Sequence, residues 1–483
     1  MFVRSLGARR LGFAVSTISL AAIGWAPVTG IAHATTASRA RVTLSKSSVT
    51  VDSTVKISGS GFGTRALVRV YFSGSRVATV RARSSGRIGP AAITVPVSAA
   101  AGRHKVTIRG STPVRSASAW LTVPADGTDW PQSRFGAAED GDNTTENRLS
   151  AADVKLLHLQ WKYAAGAAID QPPIVADGIV YIAPENYSIE LLKASNGHAL
   201  WPFYDAGQQS DLPAPAVSGD MMYAGSAGYF YAVNQVADAP ILWRTETDPL
   251  APYTDLDSPA TLSGSDVYFT SADGDLHALD AATGDQLWTF TAPTAFNFSP
   301  PAVVDGTVYV ADSDGNLYAI DAATGAVTWT LPLGSTVVSP PAIANGIVYV
   351  GAGNGTLYAV SAATGTQLWQ YSTGSPITAA SALAAGTVYV PSQGGVLTAV
   401  DAATGKKIWS YQADSEGLDA PAVADGVIYI GSADKKIYAL SASSGQRLWS
   451  YTTGGVVNGS PVVANGHLYV GSDDGYLYAF ELK

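Results

Sequence analysis

The chain has 483 residues, no cysteine and a formal net charge of −9. Its length allows two or three domains with a large core. The lack of cysteine excludes disulfides, thiolate catalysis, iron–sulfur clusters and lipid attachment to a cysteine. The charge is unevenly divided: residues 35–125 carry fourteen Lys or Arg and a single acid, Asp52, whereas residues 126–483 carry twelve Lys or Arg against 37 Asp or Glu. Such asymmetry between halves predicts different partners for them.

Residues 1–34 are predicted to be an export signal. Arg4, Arg9 and Arg10 give a positive start, residues 11–25 are uncharged and apolar, and residues 32–34 form a small-x-small cleavage site. An uncleaved membrane anchor is the alternative. Because no other stretch approaches transmembrane length, we expect a mature protein that is secreted or associated with the cell envelope after bacterial-type export.

Residues 42–123 are predicted to form a basic β-sandwich of six or seven short strands, since apolar and polar residues alternate in runs separated by Gly, Ser and Pro. Residues 58–62 and 101–104 resemble the immunoglobulin-like modules of bacterial exported proteins. The clustered arginines predict binding of an anionic wall polymer or phospholipid headgroups. Docking of this module against the acidic second half is the alternative, and nucleic acid is not expected as a partner outside the cell. Residues 124–128 are predicted to be a linker.

Tryptophans recur at intervals of 40 to 45 residues through the rest of the chain: Trp161, Trp201, Trp243, Trp288, Trp329, Trp369, Trp409 and Trp449. This period is typical of propeller blades, each a four-stranded unit. Residues 156–163 supply a tryptophan strand without the three strands that precede it in the other blades. Residues 460–480 supply three strands with no tryptophan strand after them. We therefore expect residues 129–483 to form an acidic, all-β, eight-bladed propeller in which the first strand completes the last blade.

The repeat resembles the tryptophan-docking repeat of quinoprotein (PQQ) propellers. Residues 278–288 read Ala-Leu-Asp-Ala-Ala-Thr-Gly-Asp-Gln-Leu-Trp, and the pattern recurs at 319–329, 359–369, 399–409 and 439–449. The opening residues 129–132, with Asn143 and Glu146, resemble the entry segment of such propellers. The resemblance implies one of two groups: PQQ-dependent alcohol and glucose dehydrogenases, or a non-catalytic branch that includes the outer-membrane assembly factor BamB.

The non-catalytic branch is favoured here. Quinoprotein dehydrogenases resemble one another in a calcium held by Glu and Asn, an Asp base and large insertions, and several have adjacent cysteines. This chain has no cysteine, and its repeats carry almost no insertions. We expect a binding or scaffold protein that contacts envelope or extracellular proteins or glycans. The alternative is a PQQ-dependent dehydrogenase, and PQQ and calcium are cofactors only under that alternative.

Other candidate chemistry is interpreted as structural. The eight tryptophans are predicted to wedge between blades, although one indole can form the floor under a quinone. Residues 312–316 have the opening spacing of a calcium loop but lack its Glu at the twelfth position, so they are predicted to be a turn. The histidines show no metal-ligand spacing and no Ser/His/Asp grouping. No catalytic residue, metal ligand or cofactor-binding residue is predicted.

The segments that link each tryptophan strand to the next blade vary most, and variable loops on a rigid frame are the usual place for recognition. Exposed aromatic residues beside acids suit protein or glycan contacts, with solvated loops as the alternative. The candidate binding residues are Tyr253, Asp255, Asp257, Phe296, Asn297, Phe298, Glu416, Asp419 and Asn458.

Overall fold

A computed structural model describes residues 40–45, 54–72, 75–95, 102–111, 114–123, 129–204, 212–226, 228–235, 241–247, 258–271, 274–296 and 299–482. The predicted export signal and the predicted linker lie outside these residues and remain predictions. Within the ranges given, no helix has the length and apolar character needed to cross a membrane.

The described part of the first module contains seven strands in two antiparallel sheets. The strands are β1 (Arg41–Leu44), β2 (Thr54–Ser60), β3 (Leu67–Phe72), β4 (Ser75–Arg81), β5 (Ile88–Thr94), β6 (Gly102–Ser111) and β7 (Val114–Val123). One sheet has the order β1-β2-β5 and the other β4-β3-β6-β7. Alternate residues of β3 are buried because one face of its sheet packs on the shared core, which includes Val55, Ile57, Val68 and Val106. The likeness of this module to immunoglobulin-like domains remains a prediction.

Eight further four-stranded units follow, each a meander with its innermost strand first. Two short elements precede them, β8 (Asp142–Asn143) and a 3₁₀ turn at Val154–Leu156. Blades 1 to 4 are β10 (Ile174–Ala176), β11 (Ile179–Ile182), β12 (Ser188–Lys193) and β13 (Ala199–Tyr204); β14 (Ala216–Ser218), β15 (Met221–Ser226), β16 (Tyr229–Asn234) and β17 (Ile241–Glu246); β18 (Thr261–Ser263), β19 (Asp266–Thr270), β20 (Asp275–Asp280) and β21 (Gln286–Thr291); and β22 (Ala302–Val304), β23 (Thr307–Ala311), β24 (Asn316–Asp321) and β25 (Val327–Pro332).

Blades 5 to 8 repeat this arrangement, and β9 (Leu157–Ala164) supplies the outermost strand of blade 8. They are β26 (Ala342–Ala344), β27 (Ile347–Gly351), β28 (Thr356–Ser361) and β29 (Gln367–Ser372); β30 (Ala382–Ala384), β31 (Thr387–Pro391), β32 (Val396–Asp401) and β33 (Lys407–Gln412); β34 (Ala422–Ala424), β35 (Val427–Ser432), β36 (Lys436–Ser441) and β37 (Arg447–Thr452); and β38 (Val462–Ala464), β39 (His467–Ser472) and β40 (Tyr476–Leu482) with β9.

Blade 8 joins the two ends of the repeat array. β9 pairs antiparallel with β40, with Trp161 opposite Ala479, and β10 of blade 1 packs beside β38 of blade 8. A closed ring leaves no blade at an open end of the array. The predicted eight-bladed propeller is confirmed.

Burial within a blade follows the position of each strand. In blade 5 the four central residues of β28 are all buried, because neighbouring blades cover both faces of this strand. The outermost strand β29 instead alternates between exposed and half-buried residues. The hairpin between the first two strands places Asn345 at φ 52° and Gly346 at φ 73°. These two left-handed residues are what a type I′ turn requires.

Candidate functional site

The repeated tryptophans lie on the outermost strand of each blade and reach the next blade. Trp369 Nε1 donates to the carbonyl of Ala402 at 3.0 Å, and its ring lies under Gly405, where a Cβ would come within 2.7 Å of it. Equivalent bonds run from Trp161 to Ala194, Trp243 to Ala281, Trp288 to Ala322, Trp329 to Ala362 and Trp409 to Ala442, and Trp449 donates to Leu157 of blade 8. For Trp201 the matching turn falls on residues 236–240, outside the described ranges. These indoles therefore bridge blades at the rim, away from the central channel.

Residues 129–143 form a segment, here called the channel segment, that follows the inside of the ring and bonds to the middle of every innermost strand. The main-chain N–H groups of Val175, Val217, Val303, Ile343, Leu383 and Val423 donate to the carbonyls of Trp130, Pro131, Ala137, Ala138, Asp140 and Gly141. Leu262 N donates to Gln132 Oε1 at 2.8 Å, and Asn143 Nδ2 donates to the carbonyl of Val463 at 2.8 Å. The innermost strands are edges that an empty channel would leave unpaired. The channel segment supplies a partner for all eight.

Arg134 is the central side chain of this segment and is only 4% exposed. Its Nη1 donates to the carbonyl of Pro421 in blade 7 at 2.8 Å, and its Nη2 donates to the carbonyl of Ser381 in blade 6 at 2.6 Å. Gly141 lies against the guanidinium, since a Cβ there would come within 2.5 Å of Nη2. Burial lowers the pKa of Arg134, an effect that the charge of Glu139 opposes. Arg134 thus uses its fixed fork of donors to hold two blades.

Glu139 is fully buried beside this guanidinium. Its Oε1 accepts from Thr261 Oγ1 of blade 3 at 3.4 Å. Burial raises the pKa of Glu139 well above its usual range, and the positive charge of Arg134 opposes this shift. The pair adds contacts across the channel between blades that are distant in the sequence.

Above the channel segment lies a cavity of about 550 Å³, here called the funnel. Ser133 and Arg134 form its floor. Its wall is built from the loops that join each outermost strand to the next innermost strand, and Gln393, between β31 and β32, adds to it. The loop residues of the wall are Asp170, Gln171, Pro172, Pro259, Pro300, Val338, Pro340, Thr378, Ala379, Ala380, Gly417, Leu418, Asp419, Ala420, Asn458 and Ser460. Seven of the eight such loops line the funnel. In the remaining loop, between β13 and β14, residues 205–211 lie outside the described ranges.

The predicted loop residues separate into three groups. Asp419 and Asn458 line the funnel, and Glu416 is exposed in the same loop as Asp419 without lining it. Tyr253, Asp255, Asp257, Asn297 and Phe298 lie outside the described residues and remain predictions. The expectation that Phe296 is an exposed binding residue is wrong. Its ring is 1% exposed and packs with Tyr268, Val303 and Tyr318 in the core between blades 3 and 4.

Two acids of the funnel lie close enough to influence each other. Burial raises the pKa of Asp419 to about 7, and the charge of Asp170 adds to that shift. Hydrogen bonds from Ala420 N and from Ser460 Oγ oppose the shift, and the Ser460 bond is 3.2 Å long. Asp170 was not among the residues singled out from the sequence, and neither was Arg134. Both follow from the closure of the ring, which places residues from separate blades around one channel.

The acidic turn at residues 312–316 is held by its own side chains. The buried Asp312 carboxylate accepts from Asn316 N at 2.8 Å, from Asn316 Nδ2 at 2.9 Å and from Tyr318 Oη at 2.8 Å. The carboxylate oxygens are thus used to fix a hairpin, as interpreted from the sequence. Among the described residues no group of three or more His, Cys, Asp or Glu is placed to hold a metal ion.

The sequence matches the family model described as outer membrane protein assembly factor BamB, over residues 138–275, 272–420 and 413–483. The chain belongs to this family. The predicted PQQ-like repeat, and its likeness to BamB and to quinoproteins, are confirmed.

Related proteins include both branches of the repeat family. The quinohemoprotein alcohol dehydrogenase of Comamonas testosteroni is 33% identical to this chain over 171 residues. These residues are 35% of this chain and 18% of that enzyme, so the match spans less than a fifth of the relative's length. Its crystal structure is similar with a TM-score of 0.64 at 17% identity, covering 74% of this chain and 81% of that one. BamB from Moraxella catarrhalis is similar with a TM-score of 0.58 at 22% identity, covering 68% of this chain and 98% of that one.

At these identities the structural likeness shows the fold alone. Asn143 and Glu146, the residues noted in the entry segment, both accept hydrogen bonds from main-chain N–H groups. Glu146 Oε1 accepts from Arg148 N at 2.7 Å, and Glu146 Oε2 accepts from Gly466 N at 2.7 Å. Asn143 Oδ1 accepts from Thr145 N and Glu146 N. Both side chains therefore bind main-chain groups, those of their own segment and, for Glu146, the first hairpin of blade 8.

Proposed function

We propose that this protein is a non-catalytic binding or scaffold protein of the cell envelope or the extracellular space. It presents the funnel and its rim of loops to a partner protein or glycan. The observation that carries this proposal is the channel segment, whose bonds to all eight blades give the ring a fixed floor. A rigid frame with variable loops is suited to recognition.

Two charged side chains of the channel segment support a structural rather than a chemical role for the ring interior. Arg134 is bonded to two main-chain carbonyls, and Glu139 is buried beneath it. The eight tryptophans lie on the outermost strands. Within the ring, the groups that we propose for a partner are those of the funnel wall.

The chemistry of that wall indicates the kind of partner. Asp170 and Asp419 supply carboxyl groups, and Asp419 is partly ionised at neutral pH because its pKa is about 7. Gln171, Gln393 and Asn458 supply amides, and the prolines supply apolar surface. Basic side chains of a protein and the hydroxyl groups of a glycan both match such a surface. Because the propeller is acidic overall, we favour a partner with a basic contact surface.

Affinity capture from envelope extract tests this proposal. The bait is the full chain, and the variant Asp419→Asn with Asn458→Ala changes two residues of the funnel wall while keeping the hydrogen bonds of Arg134 to Pro421 and Ser381. The control is Asp285→Asn, which removes one acid from an exposed turn between the third and fourth strands of blade 3, at the opposite face of the ring. We expect the funnel variant to lose a partner that the wild type and the control retain. Identical partners for all three would contradict the proposal.

The alternative, a PQQ-dependent dehydrogenase, is tested separately. Isothermal titration with PQQ and calcium measures binding, and dye-linked alcohol oxidation measures turnover. Tight binding accompanied by turnover would replace the scaffold proposal.

A further inference from the structure

A second cavity, of about 620 Å³, lies in the N-terminal module, remote in sequence from the propeller. It is formed by β1, β2 and the turn between β4 and β5, and we call it the arginine groove. Three arginines border it, Arg41, Arg83 and Arg87. Hydroxyl groups lie between them, contributed by Thr43, Ser58, Ser60 and Ser85.

The local backbone fixes two of these arginines. Arg83 N donates to the carbonyl of Arg87 at 2.8 Å, and Gly86 N donates to the carbonyl of Arg83 at 3.0 Å, which closes a tight turn. Gly86 has φ 70°, and a Cβ there would lie 2.3 Å from the carbonyl oxygen of Phe62. Arg83 and Arg87 therefore leave a rigid turn toward the same groove, which lowers the entropic cost of ordering them around a ligand.

Gly89 makes room for one guanidinium. A Cβ at Gly89 would come within 2.7 Å of Arg83 Nη2 and 3.3 Å of Arg83 Cζ. The flat guanidinium thus rests against the backbone of β5, with its donors along the groove. A side chain at position 89 would displace it.

The arginines of the groove differ from others in the module. Arg81 donates to the carbonyl of Arg65 and Arg115 donates to the carbonyl of Gly61, so these two serve the fold. Arg41, Arg83 and Arg87 are exposed, and within the described residues no ion pair or side-chain hydrogen bond engages their guanidinium groups. The only acid between residues 35 and 125 is Asp52, outside the described ranges.

We infer that the arginine groove binds a polymer with repeating phosphodiester groups, of the kind found in cell envelopes. Guanidinium groups pair with phosphate oxygens through two parallel N–H donors, and hydroxyl groups complete the coordination of such anions. A recessed groove suits a chain better than it suits a membrane surface, because membrane-binding surfaces add apolar side chains that insert among the lipids. The large apolar residue exposed in the described part of this module, Leu67, lies on the other sheet.

The test measures binding of linear inorganic polyphosphate to the full chain over a range of salt concentrations. The groove variant carries Arg41→Gln, Arg83→Gln and Arg87→Gln. The control carries Arg69→Gln, Arg76→Gln and Lys105→Gln, which remove the same charge from exposed positions on β3, β4 and β6 of the other sheet. Melting curves establish that both variants are folded.

We expect the groove variant to bind polyphosphate at least ~10-fold more weakly. The slope of the logarithm of the binding constant against the logarithm of the salt concentration should be smaller in magnitude by about 2 to 3. The control should lose no more than ~3-fold, since it weakens only the general attraction. Equal losses in the two variants would show diffuse attraction without a site and overturn the inference. Stronger binding to phosphatidylglycerol vesicles than to polyphosphate, lost in the groove variant, would assign the groove to a membrane surface and also overturn it.

Discussion

Asp140 and Asp142 lie two residues apart in the channel segment, and Asp142 N donates to Asp140 Oδ1 at 3.4 Å. Burial raises the pKa of Asp142 to about 7, and the charge of Asp140 adds to that shift. Burial likewise raises the pKa of Asp177 to about 6. Each of these acids is easier to ionise in the unfolded chain than in the folded one. Their ionisation therefore opposes folding as the pH rises.

The substitution Asp142→Asn should increase stability in a pH-dependent way. The folded pKa of Asp142, about 7, lies above its ordinary value of 3.8, so the folded state binds more protons between these two values. The stability of the wild type relative to the variant is then greatest below about pH 4, falls up to about pH 7, and is constant above it. At pH 8 we expect the variant to be more stable by about 2 kcal/mol, after allowing for the partial exposure of the carboxyl.

The measurement is urea unfolding of both proteins at about pH 4, 5.5 and 8. Comparison at each pH cancels the titration of groups that do not interact with Asp142. A difference that does not grow with pH would show that Asp142 ionises normally in the folded protein.

At the scale of the strand, the repeat combines a tryptophan with a glycine in the neighbouring blade. Tyr349 Oη and Trp369 Nε1 both donate to the carbonyl of Ala402, and the two rings lie 5.8 Å apart. Gly405, at φ 70°, follows that carbonyl and leaves space for the indole. The Asp401 carboxylate accepts from Thr404 N at 2.8 Å and closes the same turn. Residues 401–405 therefore form a turn within their own blade and also provide the contact to which the indole of the preceding blade binds.

The substitution Trp369→Ala should destabilise the propeller by about 2 to 4 kcal/mol, because it removes the indole contacts and leaves the Ala402 carbonyl with one donor fewer. Leu368→Ala is the matched control, since Leu368 precedes Trp369 on the same strand and is 51% exposed. We expect the control to change stability by less than about 0.5 kcal/mol. Thermal melting distinguishes the two, and similar melting temperatures for both variants would contradict the docking role of the indole.

At the scale of the whole molecule, the ring is closed in two places. At the rim, β9 completes blade 8 through its pairing with β40. At the centre, the channel segment bonds to each innermost strand, and β8 runs parallel to β34 of blade 7. Both closures use residues that precede blade 1. The N-terminal part of the propeller therefore has contacts with all eight blades, and these contacts require most of the ring to be formed.

The substitution Arg134→Met tests the central closure. It leaves the carbonyls of Ser381 and Pro421 without their donor and Glu139 without its neighbouring positive charge. We expect a loss of about 3 to 5 kcal/mol of unfolding free energy. The control is Arg148→Met, because Arg148 is exposed and its Nη1 donates to the carbonyl of Asn465 at 3.3 Å, so less than about 1 kcal/mol should be lost. Denaturant unfolding gives both values, and a small effect of Arg134→Met would show that the ring does not depend on this bridge.

The residues that form the first hairpin of each blade could be predicted from the sequence only in part. Asp-Gly or Asn-Gly marks the first hairpin of blades 1, 4, 5, 7 and 8, and the structure has the expected left-handed residues there. In blade 6 the same turn is made by Ala385 at φ 47° and Gly386. The flanking strands hold Ala385 in a conformation that its own side chain disfavours. The prediction for the loop residue Phe296 was wrong because its position in the sequence does not show whether an aromatic side chain packs in the core or faces solvent.

The number of blades, the order of strands within each blade and the strand that completes the last blade could all be predicted from the amino-acid sequence. These features depend on local periodicity, on turn residues and on an indole that recurs at a fixed interval, all of which are visible along the chain. The contents of the channel could not be predicted in this way and became visible only in the folded ring. Arg134, Ser381 and Pro421 are far apart in sequence and follow no repeat, and their contact exists because closure of eight blades leaves one channel that a single segment must line.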